Sequence, residues 1–125
     1  MGKVPFIITG ASGSIGAEAV KGVIMKGHPV IMAVRNVAKA EPIKAMLAQE
    51  VPNSDLEIME LNLADFNSVI RFVEKLKSQG VTPCGLFNNA AIINRDYAIT
   101  SDGYENTLQT NYLSVFLLTR LLMTL

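Results

Sequence analysis

Short apolar runs alternate with longer stretches of helical period along this chain. Val4-Pro5-Phe6-Ile7-Ile8 is continuously apolar and runs into Thr9-Gly10, as a parallel strand covered on both faces does. Residues 14–27 place Ile15, Ala19, Val23 and Ile24 on one side of a helix that Gly27 closes. Val30 to Val34 reads as a second strand, Leu56 to Leu61 as a third, and residues 84–88, around Gly85-Leu86-Phe87, as a fourth. Residues 65–79 align Phe66, Val69, Ile70, Val73 and Leu76 in one stripe, with Asp65 as N-cap and Gly80 past the end. Segment 37–50 is less regular, because Pro42 lacks the N–H that a helix interior needs. Either Glu41 caps a helix that begins at Pro42, or a short turn over 37–41 precedes it. A final helix over about 103–125 follows Asp102, with Glu105 three residues on in the spacing of a capping box.

The resulting order is β-α-β-α-β-α-β-loop-α. Strands alternating with helices require crossover connections, which are right-handed and give a parallel sheet with helices on both faces. The fold class expected is therefore α/β, the N-terminal portion of a Rossmann-type doubly wound sheet with four strands and four helices. No repeat, low-complexity run or linker divides residues 1–125, so they form one domain.

Composition narrows the picture further. Half the residues are apolar and 11 basic residues balance 11 acidic ones, which gives no electrostatic case for nucleic acid or an anionic membrane as partner. The lone Cys84 has no internal disulfide partner, and no cluster of metal-ligating residues stands out, so no metal is expected. The first residues lack a signal-peptide pattern, and no apolar stretch reaches the roughly 18–20 residues of a membrane helix. A soluble cytoplasmic protein is the expectation.

The chemistry is concentrated where the first strand turns into the first helix, at Thr9-Gly10-Ala11-Ser12-Gly13-Ser14-Ile15-Gly16. In a strand–loop–helix context such glycines permit a sharp turn, close approach of a pyrophosphate to the backbone, and tight helix packing. The helix N-terminus adds free N–H groups and a partial positive charge for the anion. No Gly-Lys-Ser/Thr follows, so this is not the phosphate loop of an ATPase. A site that binds the free ribose of NAD places Asp or Glu at the end of the second strand. Here Arg35-Asn36 stand there, with Lys39 one turn later, and two cations suit a 2′-phosphate. NADP(H) is the cofactor these residues favour.

These stretches resemble the short-chain dehydrogenases/reductases. That family's Thr-Gly-x-x-x-Gly-x-Gly signature is matched at Thr9, Gly10 and Gly16, with Ser14 in place of the middle glycine and Gly13 one position earlier. Asn88-Asn89-Ala90-Ala91 is similar to its Asn-Asn-Ala-Gly motif. Ala33 to Asn36 with Lys39, Leu61 to Asp65 with Ser68-Val69, Thr100 to Glu105, and Asn111 to Leu122 resemble the branch containing retinol dehydrogenases and light-dependent protochlorophyllide reductase. The resemblance implies cofactor contacts from Gly10, Ser12, Gly13, Ser14, Ile15, Gly16, Arg35, Asn36, Lys39, Asn62, Leu63, Asn89, Ala90 and Ala91. Asn62 departs from the aspartate usual at its position, where the family contacts adenine.

Of the family's Asn-Ser-Tyr-Lys tetrad, only the asparagine is matched, at Asn111, where the resemblance implies a distorted helix and a water in a proton relay. Read from its residue type alone, Asn111 is a poor helix former that could equally be a satisfied polar group at the helix surface. Tyr97, Tyr104 and Tyr112 are followed four residues on by Ser101, Leu108 and Phe116, not lysine. The resemblance thus implies an NADP(H)-dependent oxidoreductase that moves hydride between nicotinamide and a carbonyl or alcohol. These 125 residues then correspond to its cofactor-binding half, ending before the catalytic Ser and Tyr-x-x-x-Lys and inactive alone. The alternative is a catalytically silent NADP(H)-binding module. Apolar residues surround the last helix on nearly every side, which predicts burial on more than one face and homo-oligomerisation, with Leu118 and Leu122 as contacts.

Overall fold

The computed structural model describes residues 4–93 and 96–125. Its elements are β1 (Phe6–Thr9), α1 (Ser14–Met25), β2 (Val30–Val34), α2 (Val37–Glu50), β3 (Leu56–Glu60), α3 (Phe66–Ser78) and β4 (Gly85–Phe87), then α4 (Asn106–Leu108), a π-helical turn Gln109–Leu113, and α5 (Ser114–Leu122). The four strands are all parallel, in the order β3-β2-β1-β4, with Ile7 opposite Ile31 and Leu86, and Met32 opposite Ile58. The chain builds outward from β1 through β2 to β3, then returns to place β4 on the other side of β1. Beyond the carboxyl ends of β1 and β4 that reversal opens the crevice where α/β sheets bind ligands.

The continuous apolar strands have a simple cause: both faces are covered. Val30, Met32 and Val34 point to one side with Ile8, Val20, Ile24, Ala40 and Leu47, under α1 and α2. Ile31 and Ala33 point to the other with Ile7, Met59, Leu61, Val69, Phe72, Leu76 and Leu118, under α3 and α5. Each fully buried Leu, Ile or Val adds about 1.5–3 kcal/mol to these two cores.

Several local expectations are corrected. In α3 the buried stripe is Val69, Phe72, Val73 and Leu76, while Ile70 is 43% exposed, because it lies about 100° around the helix from Val69. In α1 the stripe is Gly16, Val20 and Ile24, and Ile15 is 72% exposed at the helix start. Neither reading of Pro42 holds. The helix α2 begins at Val37, because Asn36 Oδ1 accepts the Lys39 N–H at 3.1 Å and caps it, and Pro42 sits inside. Its missing N–H removes a single helix hydrogen bond, which the remaining turns tolerate.

The final helix departs most. Its cap is Glu105, whose carboxylate accepts the Thr107 and Leu108 N–H groups at 2.9 Å each, and not Asp102. Nor is it one regular helix, since Gln109–Leu113 is π-helical. Leu118 is 0% and Leu122 8% exposed, so both belong to the core and not to an assembly surface. Among the described residues no helix is long and apolar enough to cross a membrane, and no cluster of ligands could hold a metal ion.

Candidate functional site

A cavity of about 590 Å³ opens at the carboxyl ends of the strands, and every residue expected to contact a cofactor lines it. The walls are the glycine loop after β1, Arg35, Asn36 and Lys39 after β2, Asn62 and Leu63 after β3, and Asn89 to Ala91 after β4. Parallel strands end at the same edge of the sheet, so four loops distant in sequence converge there.

The loop geometry depends on two missing side chains. Gly10 has φ +62°, in the left-handed region, and a Cβ there would lie 2.9 Å from Ala90 Cα. A Cβ on Gly16 would lie 2.3 Å from the Gly10 carbonyl oxygen and 2.9 Å from Ala11 Cα. The first turn of α1 thus packs directly against the loop that precedes it. Its N-cap is Gly13, which has no side chain to accept from the first N–H groups. Those donors and the helix dipole point toward the cavity mouth, an arrangement suited to an anion.

Thr9, fully buried at the end of β1, fastens the fourth loop to this frame. Its Oγ1 accepts the N–H groups of Asn89 and Ala90, both at 3.0 Å. Asn89 Nδ2 in turn donates to the Gly10 carbonyl at 3.2 Å. Thr9 also lines the cavity and was not among the expected contacts, although Thr-Gly at a strand end is the signal that could have revealed it.

At the other end, Arg35 and Lys39 are exposed beside the start of α2, and among the described residues neither forms an ion pair with a carboxylate. Asn36 has its own task, capping α2. Asn62 is held from three directions: its N–H donates to Ser68 Oγ at 2.8 Å, its carbonyl accepts from Asp65 N–H at 3.1 Å, and its Oδ1 accepts from Ala64 N–H at 3.0 Å.

Asn111 does not line the cavity but grips a residue that does. Its Oδ1 accepts the Ile92 N–H at 2.9 Å and its Nδ2 donates to the Ile92 carbonyl at 2.7 Å. The asparagine lies within the π-helical turn, which is where a distortion was expected. Thr110 beside it is a cavity wall that sequence reasoning missed, because a regular helix gives no reason to single it out. Tyr97, Tyr104 and Tyr112 are all exposed and none lines the cavity.

Comparison with known proteins places this architecture. The model of the short chain dehydrogenase family matches residues 5–125. An uncharacterized oxidoreductase of Schizosaccharomyces pombe is 38% identical over 122 residues, 98% of this chain and 36% of that protein. The WW domain-containing oxidoreductase of Homo sapiens is 38% identical over 121 residues, 97% of this chain and 29% of that protein. A crystal structure of a Mycobacterium paratuberculosis protein superposes with a TM-score of 0.79 at 36% identity, covering 98% of this chain and 42% of that one. A metagenomic short-chain oxidoreductase solved in complex with NADP has the same fold, with a TM-score of 0.79 at 20% identity, 96% of this chain and 54% of that one. The chain spans about a third of the length of the curated relatives it matches. With a family model covering nearly all its residues and relatives this similar, the chain belongs to the short-chain dehydrogenase family.

Proposed function

We propose that the protein is an NADP(H)-dependent oxidoreductase acting on a carbonyl or alcohol, and that this chain forms its cofactor-binding half. The observation that carries the reading is the pairing, within one cavity, of an uncapped helix N-terminus behind two close-packed glycines with two cations at the end of β2. The glycine loop and the α1 amides would hold the pyrophosphate, and Arg35 and Lys39 the 2′-phosphate, through charge-assisted hydrogen bonds. The fold neighbour solved with NADP supports a dinucleotide of this class.

When bound, the nicotinamide supplies or accepts the hydride. The chain's own residues orient it and shape its surroundings. Asn111 holds Ile92 by both ends of its side-chain amide, the oxygen accepting the Ile92 N–H and the nitrogen donating to its carbonyl, and so sets the cavity wall that follows β4. We assign Asn111 a positioning role in the proton path, through the distorted turn it occupies. The proton donor is assigned to none of Tyr97, Tyr104 and Tyr112, which stand away from the cavity without a lysine four residues on.

Calorimetric titration of the full-length protein with NADPH and NADH tests the reading. NADPH should bind at least tenfold more tightly, a difference of about 1.4 kcal/mol. Arg35→Ala should bring the two affinities together. Equal affinities for the native protein, or a ratio that Arg35→Ala leaves unchanged, would remove the case for 2′-phosphate recognition.

A further inference from the structure

The π-helical turn is closed by a bond between Gln109 and Ser114, whose N–H donates to the Gln109 carbonyl five residues back. Both side chains are polar and fully buried. Each is tethered to a different partner. The Gln109 amide donates from Nε2 to Asp102 Oδ2 at 2.7 Å and accepts the Thr100 hydroxyl at Oε1. The Ser114 hydroxyl donates to the Leu63 carbonyl, 51 positions earlier. Both tethers lead to the start of α3, because the Asp102 oxygen also accepts the Phe66 N–H at 2.8 Å.

A regular helix cannot satisfy both. At about 100° per residue, positions five apart point about 140° away from each other, so one of the two side chains would turn away from α3. A buried amide or hydroxyl without its partner is costly, and here both partners are kept. A turn closed by an i→i+5 bond takes up one more residue and brings Gln109 and Ser114 round to the same side. The bulge that results falls between them. Thr110 becomes a cavity wall there, and Asn111 reaches Ile92 with both ends of its amide. Neither Gln109 nor Ser114 lines the cavity itself.

We infer that Gln109 and Ser114 are positioning residues, whose buried hydrogen bonds impose the π-helical turn that holds Asn111 on Ile92. Asn111 then follows the distortion and does not cause it. The inference rests on the proposed proton path for the purpose of this placement, and on the two tethers for its geometry.

The conflict needs both tethers, so loss of either lets a regular helix form. Gln109→Met keeps the length of the side chain without its polar end, and Ser114→Ala removes the hydroxyl alone. In crystal structures of either full-length variant, the N–H at position 114 should donate to the Thr110 carbonyl, four residues back, as in an α-helix. Amide hydrogen exchange at Ile92, followed by 15N NMR, should accelerate about tenfold or more in both. Asn111→Ala should free the Ile92 N–H as well, while the bond from Ser114 N–H to the Gln109 carbonyl persists. Leu47→Ala, in the opposite core, lowers stability without touching either tether and should leave Ile92 within about threefold of its native rate. A π-helical turn that survives Gln109→Met or Ser114→Ala, or one that Asn111→Ala converts to regular helix, would overturn the inference. So would a Leu47→Ala protein that releases Ile92 as fully as the tether variants do. Failure of NADPH to bind the native protein would instead overturn the dinucleotide site, and the exchange rates would still decide what holds Asn111.

Discussion

Asp102 Oδ2 accepts the backbone N–H of Phe66 at 2.8 Å, so a residue just before the last helix caps the first turn of α3, 36 positions earlier. The same oxygen accepts from Gln109 Nε2 at 2.7 Å, and the Thr100 hydroxyl donates to the other end of that amide. Gln109 is 0% exposed and begins the π-helical turn. One carboxylate thus ties the loop after β4 and the turn bearing Asn111 to α3, the helix that follows the cavity-lining Asn62 and Leu63.

Replacing Asp102 should therefore cost more than a lost cap. Asp102→Ala orphans the Phe66 N–H and leaves a buried amide without its acceptor, together about 2–4 kcal/mol. Asp65→Ala removes the more exposed local cap to Asn67 N–H and a long surface ion pair with Arg71 at 3.7 Å, together worth about 1–1.5 kcal/mol. Urea unfolding of the two variants in the full-length protein checks the order. Equal losses would mean that the long-range bonds of Asp102 carry no weight.

The contrast between Asp102 and Pro42 shows what the sequence could and could not disclose. Strand–helix alternation was legible because strands covered on both faces must be apolar throughout, as Val30 to Val34 are. The glycine loop was legible because its steric demands are local. Asp102 and Glu105 stand in capping-box spacing, yet which of them caps the helix is decided by Phe66 N–H, and no local pattern contains that partner. The π-helical turn and the cavity-lining Thr110 were hidden for the same reason, since the two-bond grip of Asn111 on Ile92 joins residues 19 apart. Pro42 misled in the opposite direction: its local penalty is real, but the Asn36 cap and the rest of α2 outweigh it.

Besides Gly10, whose φ of +62° already favours glycine, Gly16 should tolerate change far less than Gly13. Its added Cβ would meet backbone atoms at 2.3 and 2.9 Å, and backbone on both sides of a tight turn has little room to move. A Cβ on Gly13 would meet only the Gly10 oxygen, at an ordinary 3.5 Å. Gly16→Ala should cost about 1–3 kcal/mol of stability and weaken NADPH at least tenfold, whereas Gly13→Ala should cost about 1 kcal/mol or less. Thermal unfolding with and without NADPH separates the two. An unperturbed Gly16→Ala protein would contradict the close packing of loop and helix.

The cap on the last helix should fail in acid. Hydrogen bonds from Thr107 N–H, then Leu108 N–H, hold the Glu105 carboxyl below its ordinary value of 4.5. A carboxyl whose value is depressed by folding contributes fully above the ordinary value, and the contribution is lost as pH falls through the depressed one. Amide hydrogen exchange at Thr107 and Leu108 should therefore accelerate relative to the rest of the chain below about pH 4.5. Glu105→Gln should abolish this pH step while leaving exchange faster at neutral pH. An unchanged acid step in that variant would assign it to another group.

The last helix also presents a face that its own chain does not cover. Ser114, Leu118 and Leu122 turn into the core, while Leu108, Tyr112, Phe116 and Met123, at 49, 65, 64 and 73% exposure, lie along the outside. Leu108, Tyr112 and Phe116, four residues apart from the end of α4 through the π-helical turn into α5, are all exposed. Two such faces would meet about a two-fold axis, one patch against its own copy. We therefore expect the full-length protein to form a homo-oligomer through this face, and Phe116→Glu, alone or with Tyr112→Glu, to shift it to monomer with its melting temperature nearly unchanged. Leu118→Glu behaves differently: it puts a charge into the core and should cost on the order of 3–5 kcal/mol, unfolding the protein before assembly can be read. Sedimentation velocity at several concentrations, with thermal unfolding of each variant, distinguishes the two effects. A native protein that stays monomeric throughout, or a Phe116→Glu variant that assembles as the native does, would show that this face is covered by something other than a second copy.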